Sequence, residues 1–440
     1  MRKSIFPAAL LSATALAAAP ASAQDDAGAL AAEIAAMRAK IESLEAKVKE
    51  LESNTKKNAA AVPSWKGAPQ FEDKAKGWSF KPRGRIQYDV GHVGRPEGIN
   101  DRGLGFSTEL RRARLGVEGS IPGGFGYKFE LDFADNEVEV VDAILSYQAS
   151  KEVGLIIGQH NTFQSLEELT SSRFLSFMER AAFTDAFNFE RRVGLSGTYA
   201  TGDFIAQAGV FTDSISDLAS VGDDNNSLSA DARIVYAPKV GEAQLHLGGS
   251  AHYRDNKDVA DISRTRYRQR PFIHTTDVRF LATPALNVEK ESHYGLEAAL
   301  IGGPLHAAAE THWLNADAGP NLSPTYFGGY AEIGYYFTGE TRGYKNGQFD
   351  RTKVLKPVGG GGFGAVQLNL RYDYLDLSEG SVAGGTQQGY QASLIWIPQD
   401  YVRFLINYGH LRYQDAAVAA AGGDRDYGIN VVGARAQVDF

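Results

Sequence analysis

The chain has 440 residues, 48 of them glycine, 43 tyrosine or phenylalanine, three methionine and none cysteine, with a formal net charge of −8. The missing cysteine excludes disulfides, zinc–thiolate centres and cysteine nucleophiles. Glycine and aromatic residues in this proportion fit many β-strands joined by turns, whether in a soluble β-rich enzyme or in a membrane barrel.

Residues 1–23, MRKSIFPAALLSATALAAAPASA, carry Arg2 and Lys3, then a short apolar run, then the small-residue site Ala21-Ser22-Ala23. This pattern predicts a secretory signal peptide cleaved before Gln24. Its removal takes two positive charges and no negative one, leaving a net charge of −10. Beyond it there is no run of about 18 apolar residues, so no helix is expected to cross a bilayer.

Residues 28–53 repeat in heptads. Ile34, Ile41 and Val48 fall at a, and Leu30, Met37, Leu44 and Leu51 at d, flanked by charged residues. This is the seam of a coiled coil, with a single amphipathic helix as the alternative. β-Branched a positions lean towards two strands, a lean that a tethered trimeric domain would override. Residues 54–77 are polar, contain Pro63 and Pro69, and read as a linker.

From Trp78 to Phe440 the pattern has period two. Val432, Ala434, Ala436, Val438 and Phe440 share one face, and Gly433, Arg435, Gln437 and Asp439 the other. A soluble sandwich also alternates. Here, however, the polar face carries charges deep within strands, and aromatics such as Tyr88, Tyr147, Tyr199, Tyr236, Tyr253 and Trp313 recur near apolar-face ends. Both features suit a wet lumen and an interfacial girdle. Sixteen strand candidates follow, from 83–92 and 110–121 to 427–440. Short connections (122–124, 148–152, 201–202) alternate with long ones (161–191, 255–290, 314–328, 412–426). The expected fold is therefore an all-β transmembrane barrel of 16 antiparallel strands, preceded by an N-terminal coiled-coil helix, with an aqueous channel inside. One connection, 339–362, is long on the turn side.

Several stretches carry a family resemblance. Trp65-Lys66-Gly67-Ala68-Pro69 leads into FKPRGR (80–85) and RRARLGVEG (111–119). GQHNTFQSLEELTSSRFLSFMER (158–180), FTGETRGY (337–344) and GFGAVQLNLRYDYLDLS (362–378) follow. Together they resemble the phosphate- and polyphosphate-selective porins, the porin O and P family, over essentially all of 65–440. The resemblance implies a homotrimeric sixteen-stranded barrel in the bacterial outer membrane, among lipid and lipopolysaccharide. It also implies a pore narrowed by 161–191, 255–290 and the inward-folded turn 339–362, and lined by basic residues that guide phosphate, polyphosphate or similar small anions. No cofactor and no nucleic-acid partner is implied.

Candidate anion-binding residues follow from charge and parity. SRTRYRQRP (263–271) places Arg264, Arg266, Arg268 and Arg270 at strand spacing, ~6.6 Å apart on one side, with no acid between Ser263 and Ile273. Arg83, Arg85, Arg112 and Arg114 share lumen parity. Arg173 and Arg180 lie in the long third connection, and Lys345 and Arg351 in the anomalous turn. Guanidinium stays charged and offers a planar fork matching oxyanion oxygens, as a partly dehydrated anion requires. Other readings stay open. The arginine row could be a solvated loop face or a lipopolysaccharide contact, and Arg112 and Arg114 could pair with Glu118 and Asp132. Ser171-Ser172-Arg173 and Arg180 could serve to hold their loop against the wall. No enzymatic motif stands out: Gly359–Gly362 lacks the Lys-Ser/Thr of a phosphate loop, and the nine histidines show no H-E-x-x-H spacing. The expected function is passive diffusion through an anion-selective pore. A general size-selective porin, or a barrel tethering the envelope through its coil, are the rivals.

Overall fold

The computed structural model describes residues 23–59, 63–221, 226–256 and 265–440, which form two units, one on each side of Val62. The predicted signal stretch up to Ser22 and Arg264 lie outside the described residues.

The first unit contains one helix, Ala23–Ala59. Ile34, Met37, Ile41, Leu44, Val48 and Leu51, the heptad positions, are 45–64% exposed along it.

The second unit is a closed barrel. Its strands are β1 (Trp78–Val93), β2 (Gly105–Ile121), β3 (Phe125–Asp132), β4 (Glu139–Gln148), β5 (Val153–Asn161), β6 (Arg191–Thr201), β7 (Phe204–Phe211) and β8 (Leu228–Tyr236). They continue with β9 (Ala243–Asp255), β10 (Lys290–Gly302), β11 (Leu305–Asp317), β12 (Thr325–Tyr336), β13 (Ala365–Glu379), β14 (Val382–Gln399), β15 (Val402–Gln414) and β16 (Tyr427–Asp439). Each pairs antiparallel with its sequence neighbour, and β16 closes on β1 through Val432↔His92 and Val438↔Ile86. Closure leaves no unpaired edge, the condition for strands to span lipid. Among the described residues no helix is long and apolar enough to cross a membrane.

Alternation does what its period demands. On β16, Val432 and Val438 point out and are exposed, while Arg435, Gln437 and Asp439 point in and are buried. The strands extend beyond the apolar runs that predicted them, 83–92 becoming Trp78–Val93 and 110–121 becoming Gly105–Ile121. Extension also shrinks the connection expected at 314–328 to 318–324. Within the segment read as a linker, Ser64–Lys66 and Ala68–Asp73 form a hairpin, and its second strand joins β1 through Phe71↔Phe80.

The lumen is partly filled by protein. The connection 162–190 and the stretch 265–289 fold inward and bury Leu166, Phe177, Met178, Phe183, Phe187, Ile273 and Phe280. Each such side chain contributes about 1.5–3 kcal/mol relative to exposure, which offsets the ordering of long loops. Inward-facing glycines make the room. A Cβ on Gly409 would lie 2.6 Å from the Phe272 ring, and one on Gly328 2.4 Å from the Phe183 Cβ.

Candidate functional site

The third connection is pinned to the wall by wall side chains. Its helical turn Leu166–Leu169 begins at Ser165, whose Oγ accepts from the Glu168 amide. The amides of Leu166 and Glu167 donate, both at 2.8 Å, to the Glu310 carboxylate of β11. Further along, Arg403 donates to the carbonyls of Arg173 and Leu175. Arg435 donates to the Met178 carbonyl at 2.5 Å and to Asp89 at 2.6 Å. Arg342 reaches Ser176 Oγ at 2.6 Å. The wall arginines Arg403 and Arg435 satisfy loop carbonyls that would otherwise be orphaned in the lumen, and Arg342 adds a tie from the long turn.

What remains open is two chambers. The loop-side chamber, about 460 Å³, is lined by 162–190, by 214–217 and by Gln269, Arg270 and His274. The turn-side chamber, about 420 Å³, is lined by the lower halves of the first strands, by Ser171–Arg173 and by Lys345–Asp350 of the long turn. Arg114, Arg180 and Arg191 line both, so the two chambers meet there. Each of these arginines is fixed by acids: Arg114 by Asp132 at 2.7 Å and Glu130 at 3.4 Å, Arg180 by Glu168 at 3.2 Å, and Arg191 by Asp142 at 3.0 Å. An acid on one edge of a guanidinium orients it and leaves its other N–H donors for a passing anion.

The charge of the chambers differs. Seven arginines and two lysines line the turn-side chamber, against Glu130, Asp142 and Asp350. Glu118, Asp132, Glu168 and Asp439 stand behind the lining and pair with Arg83, Arg114, Arg180 and Arg173. Even with these four included, cations exceed acids by nine to seven. The loop-side chamber has five guanidinium groups against seven carboxylates. Burial pushes the Glu168 and Glu190 carboxyls upward. Burial acts the same way on Glu179, but Arg111 and Arg435 override it and hold that carboxyl well below its usual range. A hydrogen bond from Arg270 draws Asp277 downward.

The structure gathers most of the residues singled out by sequence. Arg83, Arg85, Arg112, Arg114, Arg173, Arg180 and Lys345 all line the turn-side chamber. Arg85 donates to Ser172 Oγ at 2.5 Å and Arg112 to Gln87 at 2.8 Å. Of the cross-strand pairs expected for Arg112 and Arg114, Arg114–Asp132 forms, whereas Glu118 takes Arg83. Arg180 also donates to the carbonyls of Glu167, Glu168 and Thr170, so it ties its own loop while facing the pore. Arg351 is bound to Asp439, stacks over Tyr401 at 4.4 Å and lines neither chamber.

The arginine row divides. Tyr267 and Gln269 turn into the protein, Arg266 and Arg268 are exposed and line neither chamber, and Arg270 lines the loop-side chamber in a 2.8 Å pair with Asp277. Sequence parity missed Arg111. The register on β2 slips at this residue, Gln87 facing Arg112 and Tyr88 facing Leu110, so Arg111 turns inward beside Arg112 and pairs with Glu179 at 2.9 Å. Bulges re-aim side chains in this way, and no signal in the alternation marks the position. Lys128 and Arg191, which share Asp142, could have been found from the lumen parity of β3 and the charge at the end of the third connection.

A closed sixteen-strand barrel with an inward-folded third loop and a charged, water-accessible lumen is an outer-membrane porin channel. The family model for "Phosphate-selective porin O and P" matches residues 80–440, and the chain belongs to that family. A Caulobacter vibrioides protein is 53% identical over 383 residues, covering 86% of this chain and 77% of its own length. Porin O of Pseudomonas aeruginosa is 26% identical over 372 residues, covering 76% and 80%. Among solved structures, OmpT, an outer-membrane protein of Vibrio cholerae, aligns with a TM-score of 0.52 at 12% identity over 84% of this chain and 99% of its own. The anion-selective porin from Comamonas acidovorans aligns at 0.50 with 14% identity over 82% of this chain and all of its own. At these identities the likeness is one of fold. Family and barrel together place the protein in the bacterial outer membrane.

Proposed function

We propose that the protein is an anion-preferring porin that passes phosphate, polyphosphate or similar small oxyanions by passive diffusion, their route running past Arg114, Arg180 and Arg191. The observation that carries this reading is the excess of fixed positive charge around the turn-side chamber. The oriented guanidinium groups where the chambers meet favour oxyanions over spherical halides, because a fork of N–H donors matches two oxygens at once. The family's description agrees with this reading. Reversal potentials of the reconstituted protein in a KCl gradient test it: anion preference is expected, with phosphate reducing the chloride current. A cation-preferring or unselective pore would instead favour the general size-selective porin.

The exposed heptad seam of Ala23–Ala59 supports assembly as a homotrimer through a coiled coil, since six apolar side chains in water are covered by packing against copies of themselves. Deleting 28–53 is expected to lower the trimer fraction in detergent. Intact trimers with altered envelope attachment would instead assign the helix to tethering.

A further inference from the structure

We infer that the lumen wall holds a binding site for a borderline divalent metal ion such as zinc, formed by His252, Glu291 and His293. The residues come from two neighbouring strands. His252 on β9 stands directly opposite His293 on β10, and Glu291 precedes His293 by two positions on the same face. Their donor atoms all lie within 4.8 Å of one another, and the two imidazole rings meet edge-on with centroids 4.8 Å apart. All three side chains are buried. Zinc bonded at 2.0–2.1 Å needs donors ~3.3 Å apart, a closure of at most about 1.5 Å that side-chain rotation can supply.

Two observations separate this cluster from ordinary polar lining. Both ring nitrogens of His293, a residue only 4% exposed, lack any hydrogen-bond partner, a costly arrangement for a buried imidazole. The local charge is also unbalanced. Glu291 forms no salt bridge with a lysine or arginine among the described residues, Arg192 acting on it only at longer range, and its carboxylate accepts one bond, from the Tyr267 hydroxyl at 2.5 Å. Asp231 on β8 faces His252 across the ladder and accepts from its Nδ1 at 2.8 Å. Among the described residues no lysine or arginine forms a salt bridge with Asp231 either: Arg192 acts on it at longer range, and both Arg192 and Arg254 are paired with Glu190 and Asp213. A dication compensates two such carboxylates where solvent does not.

The bond to Asp231 also fixes the His252 tautomer and leaves Nε2 as the ligating lone pair, the outer-shell arrangement seen around metal-bound histidines. Two imidazoles and one carboxylate suit zinc, copper or nickel rather than calcium or magnesium, with a fourth position open to water. No short motif announces the site, because its ligands meet only through the strand register. Phe189, on the rim of the loop-side chamber, packs at 5.8 Å from the His293 ring, so an ion enters past the end of the third loop.

The test is zinc binding to the full chain in detergent, stripped with EDTA and titrated with zinc chloride under calorimetry. One zinc per chain is expected, with loss of binding in the double variant His252→Ala/His293→Ala. Asp231→Asn is expected to weaken binding 10–100-fold, whereas His306→Ala, elsewhere on the wall, leaves it unchanged. Far-UV circular dichroism and single-channel conductance check that each variant is folded, and His252→Gln/His293→Gln replaces any that is not. Substoichiometric zinc in the wild type, unchanged binding in the folded double variant, or equal loss in His306→Ala would overturn the site.

Discussion

Arg112 and Lys345 differ from the other basic residues of the turn-side chamber in having no carboxylate partner among the described residues: Arg112 reaches the amide of Gln87, and Lys345 is exposed on the long turn. Neither is neutralised by a salt bridge, although Glu179 acts on Arg112 at longer range. A unit charge ~8 Å from a passing ion in water contributes about 0.5 kcal/mol, roughly a twofold change in permeability ratio. Arg112→Gln and Lys345→Gln are each expected to lower the anion-to-cation ratio about twofold in KCl gradients. Arg266→Ala and Arg268→Ala, outside both chambers, are expected to change it less, since exposed charges more than ~8–10 Å away are screened by physiological salt. An equal or larger effect at Arg266 and Arg268 would return the filter to the external row. The identity of the cations was legible in the sequence, because lumen parity is regular on β1 and, beyond the slip at Arg111, on β2. The facing of the row was not, because both sides of an inward-folded loop are polar and the anchors that turn it are Tyr267, Phe272 and Ile273, which a reading of charge passes over.

At the scale of elements, the barrel was readable because strand period, turn length and aromatic position all agree. The inward loops were harder. Their packing depends on glycines scattered over five strands, Gly91, Gly328, Gly384, Gly409 and Gly433 among them, and nothing local marks Gly328 as the seat of Phe183. A larger side chain there meets the Phe183 Cβ, a poorly displaceable atom, so overpacking of about 1–3 kcal/mol is expected. Gly328→Val should therefore loosen the third loop and raise single-channel conductance above wild type. Unchanged conductance with unchanged thermal stability would show that the loop does not depend on this seat. The slip at Arg111 is a second case: one extra residue in β2 reverses the parity on which the reading relied, and it brings Arg111 to Glu179 beside Arg435 and Arg112.

For the whole molecule, the two chambers respond differently to pH. Burial raises Glu168 and Glu190, so both take up protons above the usual glutamate value of 4.5, before exposed carboxylates do. Neutralising these two removes the acid excess of the loop-side chamber, seven carboxylates becoming five against five guanidinium groups. Anion preference is therefore expected to rise as pH falls from neutrality toward the usual glutamate value, measured as reversal potential at fixed salt gradient. A flat or falling ratio would show that the acids of this chamber do not govern entry.

The unequal charge of the two chambers has an electrical consequence as well. A conduit whose one end is rich in fixed cations and whose other end is slightly acidic behaves as an ionic diode, because counter-ions accumulate between the ends at one polarity and are depleted at the other. Current–voltage curves at low salt should bend. At 1 M salt, where the Debye length shrinks to about 3 Å, they should straighten into an ohmic line.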